Sequence, residues 1–311
     1  VVPPGNIKNW SSDPFIPNVK KGVLFGRGAS DMKTAIASFI CASLKFIKKE
    51  NKKFNGSLSF LLTADEEGDA DYGTKEVVEW MVKNKKKIDF CIVGEPTNPS
   101  FLGEMIKVGR RGSLNGEIIV NGTQGHVAYP EKCKNPIDGV LEICKELNKP
   151  LDKGSELFQP SNLVITSIDV GNNVTNLIAS NATIRFNVRF NDKFKSSEII
   201  EILDDRLKKT CCNYNMKIKV SGESFFNYSE KLTTSLVSAI KKVTKKNPEL
   251  STSGGTSDAR FISKICPVIE FGIVGKTMHQ IDENVNLIDI ENLSNIYYQF
   301  IFNFFSQKFN I

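Results

Sequence analysis

A chain of 311 residues exceeds the about 250–300 at which a single hydrophobic core stops growing, so two domains are expected. Hydrophobic residues at 40% and charged residues at 24% are ordinary for a globular protein, and the longest apolar runs, such as Phe60-Leu61-Leu62, fall far short of a membrane span. The balance of 41 basic to 35 acidic residues, +6, lacks the basic stripe interleaved with aromatics that marks a nucleic-acid binder, and runs such as Lys85-Lys86-Lys87 read as solvated surface.

In chain order, Val1-Val2 reads as the end of a buried strand and Pro3-Pro4-Gly5 as the turn that closes it. Residues 22–25 predict a short strand. Residues 31–48 predict an amphipathic helix with Met32, Ile36, Phe39, Ile40, Leu44 and Ile47 at helical spacing. A strand over 57–64, a helix over 75–83 and a strand over 88–94 continue the alternation, which argues for a mostly parallel sheet covered by helices. Then the pattern changes. Strand 113–121, helix 135–147 with Asn135 as cap and Pro136 at its first position, strands 162–170 and 182–190, helix 197–210 and strand 216–221 follow. This β-α-β-β-α-β order is that of a ferredoxin-like α+β domain. Helix 231–244, strand 267–272 and helix 290–305 are too few for a separate sheet and complete the first. The expected organisation is α/β: a catalytic domain of residues 1–111 plus 225–311, interrupted by an inserted domain of residues 112–224. The seven cysteines, odd in number and scattered, suit a reducing cytoplasm as small buried hydrophobes.

Three predicted strands end in acid. Strand 22–25 runs through Gly26-Arg27-Gly28-Ala29-Ser30 to Asp31; strand 57–64 runs into Asp65-Glu66-Glu67-Gly68; strand 88–94 ends at Glu95-Pro96. On one edge of a parallel sheet these carboxylates would converge, where open α/β folds bind ligands. Converging like charges need a cation to stay ionised. Each residue also has a plainer reading: Asp31 as a helix cap, Glu66 and Glu67 as loop charges, Glu95 as the cap of a turn. There are only two histidines. His279 follows strand 267–272 and is either a further ligand or a surface residue, while His126 in the inserted domain suits a donor better than a ligand. An Asp/Glu/His set suits zinc, cobalt or manganese, and a pair of such ions assists hydrolysis. Of the adjacent Glu66 and Glu67, one side chain can face the metals while the other takes a proton from water. The pair Gly26-x-Gly28 lacks the third glycine of a dinucleotide fingerprint.

The segments FGRGASDMK (25–33), TADEEGDADYGT (63–74), CIVGEPT (91–97), GRRGSLNGEIIVNGTQGHVAYP (109–130), GGTSDARF (254–261) and TMHQIDENV (277–285) are similar to the dinuclear-zinc aminoacylase/carboxypeptidase metallohydrolase family, in order along the whole chain. The resemblance implies two divalent metal ions, zinc or zinc plus cobalt. Asp31 would bridge them, Glu67 and His279 would hold one, Glu95 would hold the other, and Glu66 would be general base and acid. It implies a homodimer through residues 112–224, in which His126 reaches the active site of a second copy to stabilise an oxyanion. Arg110, Asn176, Arg189, Gly255 and Thr256 match positions that grip a succinyl carboxylate and the substrate backbone, a task suited to arginine's planar fork. The implied reaction is hydrolysis of N-succinyl-LL-2,6-diaminopimelate, with acetylornithine deacetylase, dipeptidase or aminoacylase activity as the alternatives within the family. One departure stands out. The family places a H-x-D motif just before a turn like VVPPG, and the sequence starts at that turn. The expectation is therefore a chain without its N-terminal portion, with no histidine at the first-metal position. Such a chain would bind one metal better than two and have little activity, or at the limit be a non-catalytic remnant.

Overall fold

The computed structural model describes residues 1–50, 54–68 and 70–306. Its helices are α1 (Thr34–Lys49), α2 (Thr74–Lys83), α3 (Pro136–Leu147), α4 (Ser196–Leu207), α5 (Glu230–Thr244), α6 (Ala259–Ile262) and α7 (Leu287–Ser306). Two compact units are present. The first joins Val1–Gly109 with Asn227–Ser251 and Ser257–Ile311; the second joins Arg110–Phe226 with Thr252–Thr256. Among the described residues no helix is long and apolar enough to cross a membrane.

In the first unit α1 and α5 pack against α7. The side of α1 that is buried carries Ala35, Ser38, Ala42 and Phe46, at helical spacing, whereas the predicted stripe residues Ile40 and Leu44 are exposed. Small side chains there let helix backbones approach closely, a preference that a count of large apolar residues misses. Leu236 and Ile240 of α5, with Leu293, Ile296 and Tyr297 of α7, close the core over Ile106, Ile269 and Phe271. The buried Tyr297 hydroxyl donates to Phe271 O at 2.6 Å, and its ring stacks on Phe39. That bond meets the requirement that a buried polar group find a partner.

Among the described residues, the strands lying wholly within this unit form two sheets rather than one. Glu249–Ser251, Met105–Lys107, Val268–Glu270 and Cys91–Val93 lie side by side in that order, parallel in the outer pairs and antiparallel in the centre. Val23–Phe25 belongs to a separate antiparallel sheet, between Asn18–Lys20 and Asn284–Asn286. The predicted strand 57–64 pairs with nothing as a strand among the described residues and exposes Phe60, Leu61 and Leu62. An apolar run specifies a wish for burial but not a partner, which is why the sequence pattern overstated it. Val1-Val2 likewise forms no strand, and Val1 is exposed. All seven cysteines are free, as expected, but only Cys266 is buried while Cys41 and Cys211 are exposed.

The second unit is an antiparallel sheet in the order Tyr214–Gly222, Gly112–Asn121, Asn181–Phe190, Asn162–Asp169. With α3 and α4 it realises the β-α-β-β-α-β order. Asn135 caps α3 by accepting from the Ile137 amide at 3.1 Å, with Pro136 at the first helical position. Along Asn181–Phe190 the residues Ala182, Ile184, Phe186, Val188 and Phe190 are buried together, the period-two pattern of a half-buried sheet. Gly112 and Gly116 sit directly opposite Phe190 and Phe186, and a Cβ at either glycine would fall within about 2.2 Å of the facing ring.

Candidate metal centre

The strand Val23–Phe25 leaves its sheet through Gly26 and enters an irregular turn, Ala29–Lys33, before α1 begins. Asp31 lies in that turn with extended backbone angles and does not cap α1, whose first turn starts from Lys33 without a side-chain bond. Its carboxylate points elsewhere. His279 stands in the loop that follows Val268–Glu270, in a left-handed conformation (φ 62°) uncommon for a residue with a Cβ. The loop is set by Thr277, whose hydroxyl donates to Asn284 O and accepts from the Asn284 amide. From there His279 Nε2 lies 3.1 Å from Asp31 Oδ2 and 3.1 Å from Glu67 Oε1. One donor atom from each of the three residues lies within 4.8 Å of the others.

The electrostatics of this arrangement suit a cation. Asp31 is pushed up to about 6, first by burial and then by the charge of Glu67, with His279 opposing. Glu66 is pushed up to about 7 by burial, then by the charges of Asp258, Glu67 and Asp31, with Arg260 opposing. A single ring nitrogen facing two carboxylates has at most one proton to offer them. A divalent cation at the common point would satisfy both carboxylates and the imidazole lone pair. Two hard oxygen donors and one nitrogen suit zinc, cobalt or manganese, so the residues fit the metal that the sequence implies.

Convergence therefore does not come from one parallel edge: Asp31 follows an antiparallel strand, and Glu66 and Glu67 lie in a turn after an extended segment. Glu95 is half-buried just beyond Cys91–Val93 and is not one of the three residues whose donor atoms come together. Gly272 lets the backbone of Gly94-Glu95 approach, since a Cβ there would lie 2.3 Å from Gly94 O. Asp258 was not singled out by its sequence, although it lies in the quoted segment GGTSDARF. It is buried, bonds Thr74 at the start of α2, and leaves Oδ1 without a hydrogen-bond partner. Glu283, also unsignalled except as part of TMHQIDENV, is wholly buried and accepts from the amides of Gly28, Ser30 and Asp31.

The remaining candidates belong to the second unit. Arg189 Nη1 donates to Thr256 Oγ1 at 2.8 Å, and Arg110 Nη1 approaches Ser253 O at 3.4 Å. Gly254, between them in sequence, has φ +104° and lies so close to Arg110 that a Cβ would be 2.5 Å from its Nη1. Gly255 is exposed and adjoins it. His126 is exposed on the short strand Gly125–His126, paired with Leu177–Ile178, and the Val127 amide donates to Asn176 O. His126 Nδ1 accepts from the Ala128 amide at 3.1 Å, so in the neutral ring the proton resides on Nε2, which is then a hydrogen-bond donor.

Against known proteins, residues 1–303 match the pattern of peptidase family M20/M25/M40. A succinyl-diaminopimelate desuccinylase of Pelagibacter ubique is 51% identical over 310 residues, which span 98% of this chain and 80% of the relative. The succinyl-diaminopimelate desuccinylase of Wolbachia pipientis wMel is 48% identical over 98% of this chain and 77% of its own length. Among solved structures, an M20 family metallo-carboxypeptidase from Sulfolobus solfataricus superposes with a TM-score of 0.80 at 18% identity, covering 96% of this chain and 82% of that one. A Bacillus subtilis protein described as a dinuclear metal binding peptidase superposes with a TM-score of 0.61 at 15% identity, over 86% and 70% of the two chains. The chain belongs to peptidase family M20/M25/M40.

Proposed function

We propose that the chain hydrolyses N-succinyl-LL-2,6-diaminopimelate to succinate and LL-2,6-diaminopimelate, as a cytoplasmic metal-dependent amidohydrolase. The substrate is supported by relatives at 51% and 48% identity that carry the name succinyl-diaminopimelate desuccinylase. The observation that carries the chemistry is the meeting of Asp31, Glu67 and His279 within 4.8 Å, with Glu66 next in sequence.

In this reading Asp31, Glu67 and His279 would hold one divalent ion, zinc or cobalt, and Glu95 with Asp31 would contribute to a second site that these two residues do not complete by themselves. When bound, such ions supply Lewis acidity toward the amide carbonyl and toward water. The protein's own groups do the rest. Glu66 accepts a proton from the attacking water and returns it to the departing amine, a transfer worth about 10²–10⁴-fold in rate. Arg110 and Arg189 bind the succinyl carboxylate, with Thr256, Gly255 and Asn176 orienting the substrate backbone. His126, through Nε2–H, donates to the developing oxyanion of a second copy, in a homodimer formed through residues 112–224.

The test is steady-state hydrolysis by the purified chain, metal-reconstituted, of N-succinyl-LL-2,6-diaminopimelate against N-acetylornithine and a dipeptide. Whatever the absolute rate, N-succinyl-LL-2,6-diaminopimelate is expected to give the highest kcat/KM of the three. Faster turnover of either competitor would sink the substrate assignment and leave the family unaffected.

A further inference from the structure

We infer that Glu283 is a positioning residue, holding the Asp31 turn and the His279 loop of the metal centre in register through one buried carboxylate. The inference rests on the reading of Asp31 and His279 as metal ligands.

Glu283 is fully buried, as is the guanidinium it faces: Arg27 Nη1 lies 2.6 Å from Glu283 Oε2, with the two side chains 2% and 1% exposed. The same oxygen accepts from the Gly28 amide at 3.0 Å. Oε1 accepts from the amides of Ser30 at 2.7 Å and Asp31 at 2.9 Å. Four bonds saturate the acceptor sites of a carboxylate, so Glu283 has no lone pair left to serve as a metal ligand itself. All four donors come from residues 27–31, the turn that presents Asp31.

The other end of the clamp is the chain that carries His279. Glu283 follows His279 by four residues, and its carbonyl accepts from the Gly26 amide at 3.0 Å. The next residue, Asn284, is doubly bonded to Thr277 and opens the strand paired with Val23–Phe25. Neighbouring bonds fix the same seam: Ser30 Oγ donates to Val274 O, and Asp282 Oδ1 accepts from the amide and hydroxyl of Ser11. Arg27 is itself braced by the Trp10 ring, 5.1 Å from its guanidinium carbon, and by its amide bond to Pro14 O.

Burying an ion pair is a poor route to stability alone, because well-packed apolar groups would serve as well or better. What a saturated buried carboxylate gives is a single geometry. Any slip of the turn leaves a charged oxygen or a backbone amide unpaired in a dry interior. The consequence for the site is that Asp31 Oδ2 and His279 Nε2, from loops 248 residues apart, are held 3.1 Å from each other.

Glu283→Gln tests this directly. An amide has one acceptor oxygen, so either the Ser30 and Asp31 amides or the Arg27 and Gly28 donors meet an NH₂ group instead. The purified chain, stripped with chelator, is titrated with Co²⁺ by calorimetry and visible absorption, at a temperature where near-ultraviolet circular dichroism shows each variant folded. Glu283→Gln is expected to weaken Co²⁺ binding at least ~10-fold, in line with losses of about 10–100-fold on removing partners that orient ligands, and to shift the Co²⁺ absorption bands. Glu283→Asp keeps the charge beside Arg27 but withdraws from Ser30 and Asp31; at least a ~3-fold loss is expected, and it decides the matter if Glu283→Gln does not fold. A folded variant with wild-type affinity and spectrum, whatever its melting temperature, overturns the inference and leaves Glu283 as scaffolding. Asp31→Asn separates the two levels. If it binds Co²⁺ as the wild type does, or if the wild type binds none, the ligand assignment falls and the role of Glu283 falls with it.

Discussion

Arg189 donates through Nη1 to Thr256 Oγ1 at 2.8 Å, joining two positions 67 residues apart within the second unit. Burial, and then the neighbouring charge of Arg111, lower the pKa of Arg189. A half-buried cation next to another cation, with no carboxylate bonded to it among the described residues, supports the proposed role of Arg189 in binding the succinyl carboxylate. Arg189→Met should therefore lower kcat/KM on the succinyl substrate by about 10- to 150-fold, the loss of one hydrogen bond to a charged group. An acetyl substrate, which offers no second carboxylate, should lose far less. Parallel kinetics on the two substrates check this, and equal losses would place Arg189 outside succinate recognition.

Glu66→Gln removes a proton acceptor while keeping size and shape. kcat should fall by about 10²–10⁴-fold, with divalent-metal affinity changed less than ~3-fold, because Glu67 rather than Glu66 meets His279. Kinetics together with calorimetric metal titration separate the two roles. A large loss of metal affinity would make Glu66 a ligand.

His279→Ala deletes one of the three converging donors. Its side chain is 48% exposed and contributes little to the core, so the far-ultraviolet spectrum and melting temperature of the metal-free chain should hardly move. Zn²⁺ or Co²⁺ affinity should drop by more than the ~10–100-fold that loss of an outer partner costs. Binding in the wild type should also weaken as pH falls, since carboxylates and imidazole must be free of protons to coordinate. Metal titrations at several pH values read both effects.

The helices and the second unit were legible because their signals are local. The cap at Asn135, the first-turn Pro136 and the alternation through Phe186 and Phe190 are fixed by neighbours a few residues away. The first unit was less legible because its sheets are assembled from short strands whose partners are distant in sequence, such as Val23–Phe25 with Asn284–Asn286. Of the candidate site, acids at strand ends mark Asp31, Glu66, Glu67 and Glu95, and the rarity of histidine marks His279, but that Glu67 rather than Glu66 is a ligand, with His279 beside it, is what the family resemblance implies. The route was wrong in part, since the turn Ala29–Lys33 and not a shared parallel edge aims Asp31. Glu283 escaped because a buried carboxylate whose partners are backbone amides has no side-chain pattern in sequence. Its neighbours Asp282 and Asn284 make it look like one more polar loop residue.

Gly116→Ala should destabilise the second unit by about 1–3 kcal/mol, the usual cost of overpacking. A Cβ there would lie 2.0 Å from Phe186 Cζ, and Phe186 is itself buried and pinned by the register that pairs it with Gly116. Combining the change with Phe186→Leu should recover part of the loss, and urea unfolding of the four variants in a double-mutant cycle measures the coupling. Independent, additive effects would mean that the ring moves aside without strain.

Asp152 should make the second unit acid-sensitive. Burial pushes its carboxyl up, but hydrogen bonds from Ser161, Gly154 and Asn191 outweigh burial and leave its pKa below the ordinary value of 3.8. The carboxylate accepts from Asn191 Nδ2 at 2.7 Å and from the Ser161 amide at 3.1 Å, and so anchors a buried asparagine at the end of the strand Asn181–Phe190. With the folded pKa depressed, the anion's contribution is fully present above the unfolded value and is lost as pH falls through the folded one. In Asp152→Asn that contribution is absent at every pH. The stability gap between wild type and variant should therefore be widest near neutrality and should narrow as pH falls below the ordinary value of 3.8 toward the lower folded one, as the wild-type carboxyl protonates. Denaturant unfolding at pH 7, 5, 4 and 3 follows the gap directly. A gap that persists unchanged into acid would mean that shape, and not charge, is what the loop requires of Asp152.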